Sequence, residues 1–73
     1  MATERVAAPI PGKIIRVEVA PGHKVKEGGV LCIIESMKME NPILTPVNGQ
    51  VTEVKVAQGD MERSGQLIAV IEY

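Results

Sequence analysis

The feature that most constrains the fold of this chain is an internal repeat. Sliding the 73-residue sequence by 37 positions aligns Ala8–Glu35 with Thr45–Glu72 without a gap, and nine of the 28 aligned pairs are identical. Three of the identical pairs are glycines, at positions 12 and 49, 22 and 59, and 28 and 65. Glycine is favoured where the backbone turns with positive φ or approaches another segment closely, so glycines at one shared spacing predict shared turns. The chain is therefore predicted to contain two copies of one small unit.

Each copy contains the same succession of apolar segments. These are a first strand near Val6 or Ile43, an alternating strand over Lys13–Val19 or Gln50–Val56, and a final apolar run over Val30–Ile34 or Leu67–Ile71. Alternation and short apolar runs between turn residues are typical of strands. Val and Ile also far outnumber Leu, which favours a pleated surface. We predict an all-β domain: a flattened barrel or sandwich of two four-stranded antiparallel sheets, formed by two interlocked copies related by a pseudo-twofold axis.

Met37, Lys38 and Met39 lie between the two copies. Extending the alignment outward pairs Thr3–Ser36 with Glu40–Tyr73 and leaves only these three residues between the copies. Apolar runs on both sides predict a chain reversal here, and tight reversals normally use Gly, Asn or Asp. The sequence Met-Lys-Met indicates instead a lysine displayed for an enzyme to modify, the alternative being a surface hairpin with incidental methionines. A pseudo-twofold axis would put this lysine at one end and the chain termini at the other.

Composition excludes several classes of function. The net charge of −1, the single Tyr and the absence of Phe and Trp argue against a nucleic-acid partner. One cysteine, Cys32, forms no internal disulfide and no metal cluster, and its apolar neighbours indicate a core residue. No apolar run approaches the length of a membrane span. We expect one domain over residues 1–73, with residues 1–5 a flexible tail, in an intracellular setting that is cytoplasmic by default, an organelle matrix being the alternative.

Three groups of residues taken together are typical of one family. They are Met37-Lys38-Met39 with Glu40-Asn41, the A-P-I-P-G-K segment Ala8–Lys13, and the glycine turns at 22 and 28 and at 59 and 65. Over Val6–Glu72 the chain resembles the biotinyl/lipoyl attachment domains, and more closely their biotin carboxyl carrier branch. The Met-Lys-Met motif alone is a weak indicator of this family. Its position at the junction of the two copies makes it a strong one.

The resemblance implies that a biotin protein ligase joins the amine of Lys38 to the valeryl carboxyl of biotin, with Met37 and Met39 as the recognition motif. It implies that the biotin then carries a carboxyl group between a biotin carboxylase and a carboxyltransferase of a biotin-dependent carboxylase, decarboxylase or transcarboxylase. The domain itself would be a carrier without a catalytic residue or a metal.

Two alternatives remain open. Glu35-Ser36 before the lysine is similar to what precedes it in lipoyl domains, so lipoylation at Lys38 is one of them. The other is an unmodified β-sandwich interaction module, in which Lys38 is an ordinary surface charge.

Overall fold

The protein folds into eight strands without a helix. The computed structural model describes all 73 residues, and the strands are β1 (Thr3–Ala7), β2 (Gly12–Val17), β3 (Lys24–Val25), β4 (Val30–Ser36), β5 (Met39–Leu44), β6 (Gly49–Val54), β7 (Met61–Glu62) and β8 (Leu67–Glu72). One sheet has the order β1-β8-β6-β3 and the other β5-β4-β2-β7, with every pairing antiparallel. The prediction of an all-β domain with two four-stranded antiparallel sheets is confirmed.

The two copies of the repeat are interlocked in this fold. Each sheet takes two strands from the first copy and two from the second. Exchanging each strand for its equivalent in the other copy, β1 for β5, β2 for β6, β3 for β7 and β4 for β8, converts the strand order of one sheet into that of the other. A pseudo-twofold axis between the copies requires this relation. The domain measures 36 × 17 × 17 Å. The β4–β5 hairpin occupies one end, and Ala2 and Tyr73 meet at the other through a 2.8 Å bond between the Ala2 N–H and the Tyr73 carbonyl.

β-Bulges repeat with the copies and explain the apolar runs of the sequence. Ile15 of the first copy and the equivalent Thr52 of the second have no partner in the strand pairing. The same holds for Leu31 and the equivalent Ile68. A bulge lets two consecutive residues face the same side of a sheet. Leu31 and Cys32 are accordingly both in the core, and so are Ile68 and Ala69. The final strand of each copy is therefore a nearly unbroken apolar run and not an alternating one.

The core lies between the sheets and is made almost entirely of aliphatic side chains. Twelve buried residues form one cluster: Val6, Ala8, Ile14, Leu31, Cys32, Ile34, Ile43, Val51, Val56, Ile68, Ala69 and Ile71. Burial, with a smaller contribution from Glu62, raises the pKa of the Cys32 thiol to about 11. The thiol is therefore protonated at neutral pH, and Cys32 is a small core residue as predicted. Thr45 is the one buried polar residue, and its hydroxyl donates to the Val47 carbonyl at 2.7 Å.

The expectation of a flexible tail over residues 1–5 is wrong. Thr3, Glu4 and Arg5 belong to β1 and pair with Glu72, Ile71 and Val70 of β8. These residues carry no strong apolar pattern because β1 is an edge strand whose outer face is exposed to solvent. The structure contains no helix long and apolar enough to cross a membrane.

Candidate functional site

The tip of the β4–β5 hairpin is a two-residue turn with an unusual composition. Ser36 pairs with Met39, which leaves Met37 and Lys38 as the central residues, with φ of 53° and 64°. Positive φ at both central positions is the requirement of a type I′ turn, which fits the twist of the strands and is normally made by Asn-Gly. Met and Lys adopt this conformation at a cost in backbone energy. Turn propensity therefore does not account for the residues at this tip.

Lys38 is exposed and unpaired at this tip. Its side chain is exposed, and its amine has neither a hydrogen bond nor an ion pair. The only ion pairs of the domain are Arg16–Glu18 and Glu53–Lys55, both on other segments. The flanking Met37 and Met39 are 91% and 66% exposed, so neither thioether belongs to the core. An exposed primary amine without a partner is available to an acyl donor.

The hairpin that carries the turn is held by Asn41 and by the core. The Asn41 side-chain amide donates to the Met39 carbonyl at 3.1 Å and lies 3.5 Å from the Ile34 carbonyl. Ile34 is the cross-strand partner of Asn41 and is fully buried. The base of the hairpin is thereby fixed to the core, while only the two central turn residues project beyond it. Pro42 in the same edge strand lacks an N–H and so limits pairing with another chain.

A row of four exposed residues crosses the sheet just behind the tip. Met61 of β7 pairs with Lys13, Lys13 with Glu35, and Glu35 with Glu40. The sequence pattern had drawn attention neither to Met61 nor to Glu40 as a residue of the tip end. The repeat contained a signal for both residues. The alignment shifted by 37 positions pairs Met61 with Lys24 and Glu40 with Thr3, and in each pair the two side chains differ in chemical type. The two surface depressions lie beside Met1 and Tyr73 and beside Lys13 and Gln58, and neither is lined by Lys38.

Comparison with known proteins identifies the family. A family profile described as "Biotin-requiring enzyme", of the biotin/lipoyl type, matches residues 4–71. The chain belongs to this family. The resemblance drawn from the sequence is thereby confirmed. This chain is a biotin carrier domain, and covalently attached biotin is its cofactor.

Relatives of the domain are parts of larger proteins. The gamma subunit of glutaconyl-CoA decarboxylase from Acidaminococcus fermentans is 59% identical over 39 residues, which are 53% of this chain and 27% of that subunit. The gamma subunit of methylmalonyl-CoA decarboxylase from Veillonella parvula is 55% identical over 40 residues, 55% of this chain and 31% of that subunit. The crystal structure of Kluyveromyces lactis urea carboxylase superposes with a TM-score of 0.91 at 30% identity, covering 99% of this chain and 6% of that protein. The biotin carrier domain thus spans less than a third of each.

Proposed function

We propose that Lys38 is the residue that carries biotin, and that the domain moves a carboxyl group between two active sites of a larger biotin-dependent enzyme. The observation that carries this proposal is the free amine of Lys38 on a type I′ turn, at the end of the domain remote from both chain termini. A protein attached through a terminus would hold the domain with Lys38 facing away from the attachment. The names of the relatives, two decarboxylase subunits and a carboxylase, support a parent enzyme of one of these classes.

The chemistry at Lys38 is amide formation by a biotin protein ligase. The Lys38 nitrogen would form an amide bond to the carboxyl carbon of biotin, which the ligase would supply in activated form, as the bond to the activating group breaks and the nitrogen gives up a proton. The product is uncharged, so it is compatible with the apolar side chains of Met37 and Met39 on either side. When attached, biotin supplies the ureido nitrogen that accepts and releases the carboxyl group.

In this proposal the other residues of the domain present the arm, and the carboxyl group is gained and released at the active sites of the partner proteins. A tether of fixed length keeps the carried group at high effective concentration near both active sites, provided that the arm spans them. The partners of the domain are then the ligase, a biotin carboxylase and a carboxyltransferase, in an intracellular setting.

The test is the intact mass of the chain after co-expression with a biotin protein ligase. We expect a gain of one biotin less one water in the wild-type chain and no gain in Lys38→Arg, which keeps the charge but removes the acylatable amine. A gain of one lipoic acid less one water would favour the lipoyl alternative. An unchanged wild-type mass would favour the unmodified interaction module, and a gain in both variants would place the modification on another residue.

Met37→Ala and Met39→Ala are expected to slow modification of Lys38 without destabilising the domain. Both side chains are largely exposed, so their truncation removes little buried apolar area and should change the free energy of unfolding by less than about 0.5 kcal/mol. The rate of biotin transfer should fall because the thioethers are available for contact with the ligase. Thermal unfolding followed by circular dichroism, beside a ligase assay, checks both parts. A large fall in melting temperature would show that these methionines belong to the core.

A further inference from the structure

The row behind the tip places a further exposed methionine and two carboxylates on one face of the sheet next to the hairpin. Met61 is 73% exposed and begins the row, which continues through Lys13 and Glu35 to Glu40. Directly opposed residues of antiparallel strands project from the same face. At about 4.8 Å between neighbouring strands, the row is about 14 Å long. A protein that covers the tip from this face would contact both ends of the row.

The other end of the domain provides an internal comparison. The equivalent row there consists of Lys24, Gln50, Glu72 and Thr3. Lys24 stands in the place of Met61, and Thr3 in the place of Glu40. Since both rows occupy the same position in the fold, the fold does not require a methionine or a second glutamate at these places. Met61 and Glu40 lie at the end that carries Lys38, where a protein that acts on the lysine would contact them.

The carboxylates of this row are not neutralised within the chain. Glu35 and Glu40 are directly opposite each other on β4 and β5, and like charges in this arrangement are destabilising. Neither carboxylate takes part in an ion pair, although Lys13 is the other neighbour of Glu35. At the opposite end the corresponding pair is Glu72 and Thr3, where this repulsion does not arise. An unneutralised acidic pair beside an exposed methionine fits a partner with a cationic side chain and an apolar depression.

We propose that Met61 and Glu40 form part of the surface on which the biotin protein ligase docks, with Met61 in an apolar contact and Glu40 opposite an arginine or lysine of the ligase. This inference rests on the proposed function of Lys38. Exposed methionines suit such a contact because a flexible thioether adapts to the shape of its partner. The docking surface is then broader than the turn and includes a strand from the second copy of the repeat.

The test exchanges residues between the two ends of the domain. The variants Met61→Lys and Glu40→Thr import the residues of the far end, and the matched controls Lys24→Met and Thr3→Glu make the reverse exchanges. The measurement is kcat/KM for biotin transfer to the purified 73-residue chain by a biotin protein ligase. We expect each tip-end variant to lose at least about fivefold, as for a buried interface residue, and each control to stay near the wild-type value. Glu40→Thr should also weaken the salt dependence of the reaction.

Folding is monitored separately in the same variants. All four positions are exposed, so the melting temperature should stay near that of the wild type, and Met61→Gln provides a second variant of similar shape without the thioether. If the wild type is acylated and both tip-end variants keep kcat/KM within about twofold of the wild-type value, Met61 and Glu40 do not belong to the docking surface. The proposed function of Lys38 would still stand. An equal loss of kcat/KM in the controls Lys24→Met and Thr3→Glu would also contradict the proposed docking surface. Loss of self-association in Met61→Lys, seen by sedimentation without a change in acylation, would make the surface a contact between copies. A wild type that is never acylated would contradict the proposed function itself.

Discussion

Gly12→Ala and Gly49→Ala are each expected to lower the free energy of unfolding by about 3 kcal/mol, the upper end of the usual range for overpacking. A Cβ at Gly12 would lie 2.5 Å from Cγ2 of Ile34 and still closer to the Glu35 carbonyl oxygen. At Gly49 it would lie 2.8 Å from Cγ2 of Ile71 and closer to the Glu72 carbonyl oxygen. The obstructing groups are a strand backbone and a fully buried isoleucine, so neither can move aside without disturbing the core.

Alanine substitutions at the turn glycines provide the reference for the loss of stability expected at Gly12 and Gly49. Gly22 and Gly59 both have φ of 97° and open space around the position of a Cβ, so alanine there costs only the left-handed conformation, about 1–2 kcal/mol. Urea unfolding followed by circular dichroism gives the free energies of all four variants by linear extrapolation. Domains are stable by about 5–15 kcal/mol, so a loss of 3 kcal/mol removes a large fraction of the total. Equal losses at all four positions would show that close packing is not the reason for glycine at 12 and 49.

The repeat made most of the fold predictable, because it fixed the relation between distant parts of the chain. The matched glycines at 22 and 59 and at 28 and 65 located turns, but Gly12 and Gly49 begin strands and not turns. The pairs Gly12/Gly49 and Ile34/Ile71 keep the same close contacts in both copies. The prediction of two four-stranded sheets required a fourth strand in each copy, but the positions of β3 and β7 were not predicted. Two residues show no periodicity and become strands only by pairing with β6 and β2. The bulges at Leu31 and Ile68 likewise depend on the neighbouring strand.

The site was predictable in part for the same reason. The position of Lys38 outside both copies identified the tip from the sequence, and the structure places it at a turn with positive φ. Met61 was missed because it lies 23 residues further along the chain and reaches this end only through the pairing of β7 with β2. Its proximity to Glu35 is a property of the sheet order and not of any local pattern.

Replacing Met37-Lys38 by Asn-Gly is expected to stabilise the domain and to abolish its modification. Both wild-type residues have positive φ, at a cost of about 1–2 kcal/mol each relative to glycine, and Asn-Gly is the preferred pair for this type of turn. We expect the free energy of unfolding to rise by about 1–2 kcal/mol, since Asn recovers only part of the cost. Biotin transfer should be absent because the variant has no amine at the tip. Urea unfolding and intact mass after treatment with the ligase measure the two effects.

Met37→Asn alone separates the conformation of the turn from the loss of the amine. This variant keeps Lys38, so its stability should rise by a smaller amount while biotin transfer falls as it does in Met37→Ala. If the Asn-Gly variant unfolds at the same urea concentration as the wild type, the turn is not strained and its residues need no functional explanation. A gain in stability together with slower transfer in Met37→Asn would mean that the tip keeps a less stable turn in order to present methionine beside the lysine. The core then supplies the stability that the turn gives up, since Ile34 anchors the hairpin independently of the residues at its tip.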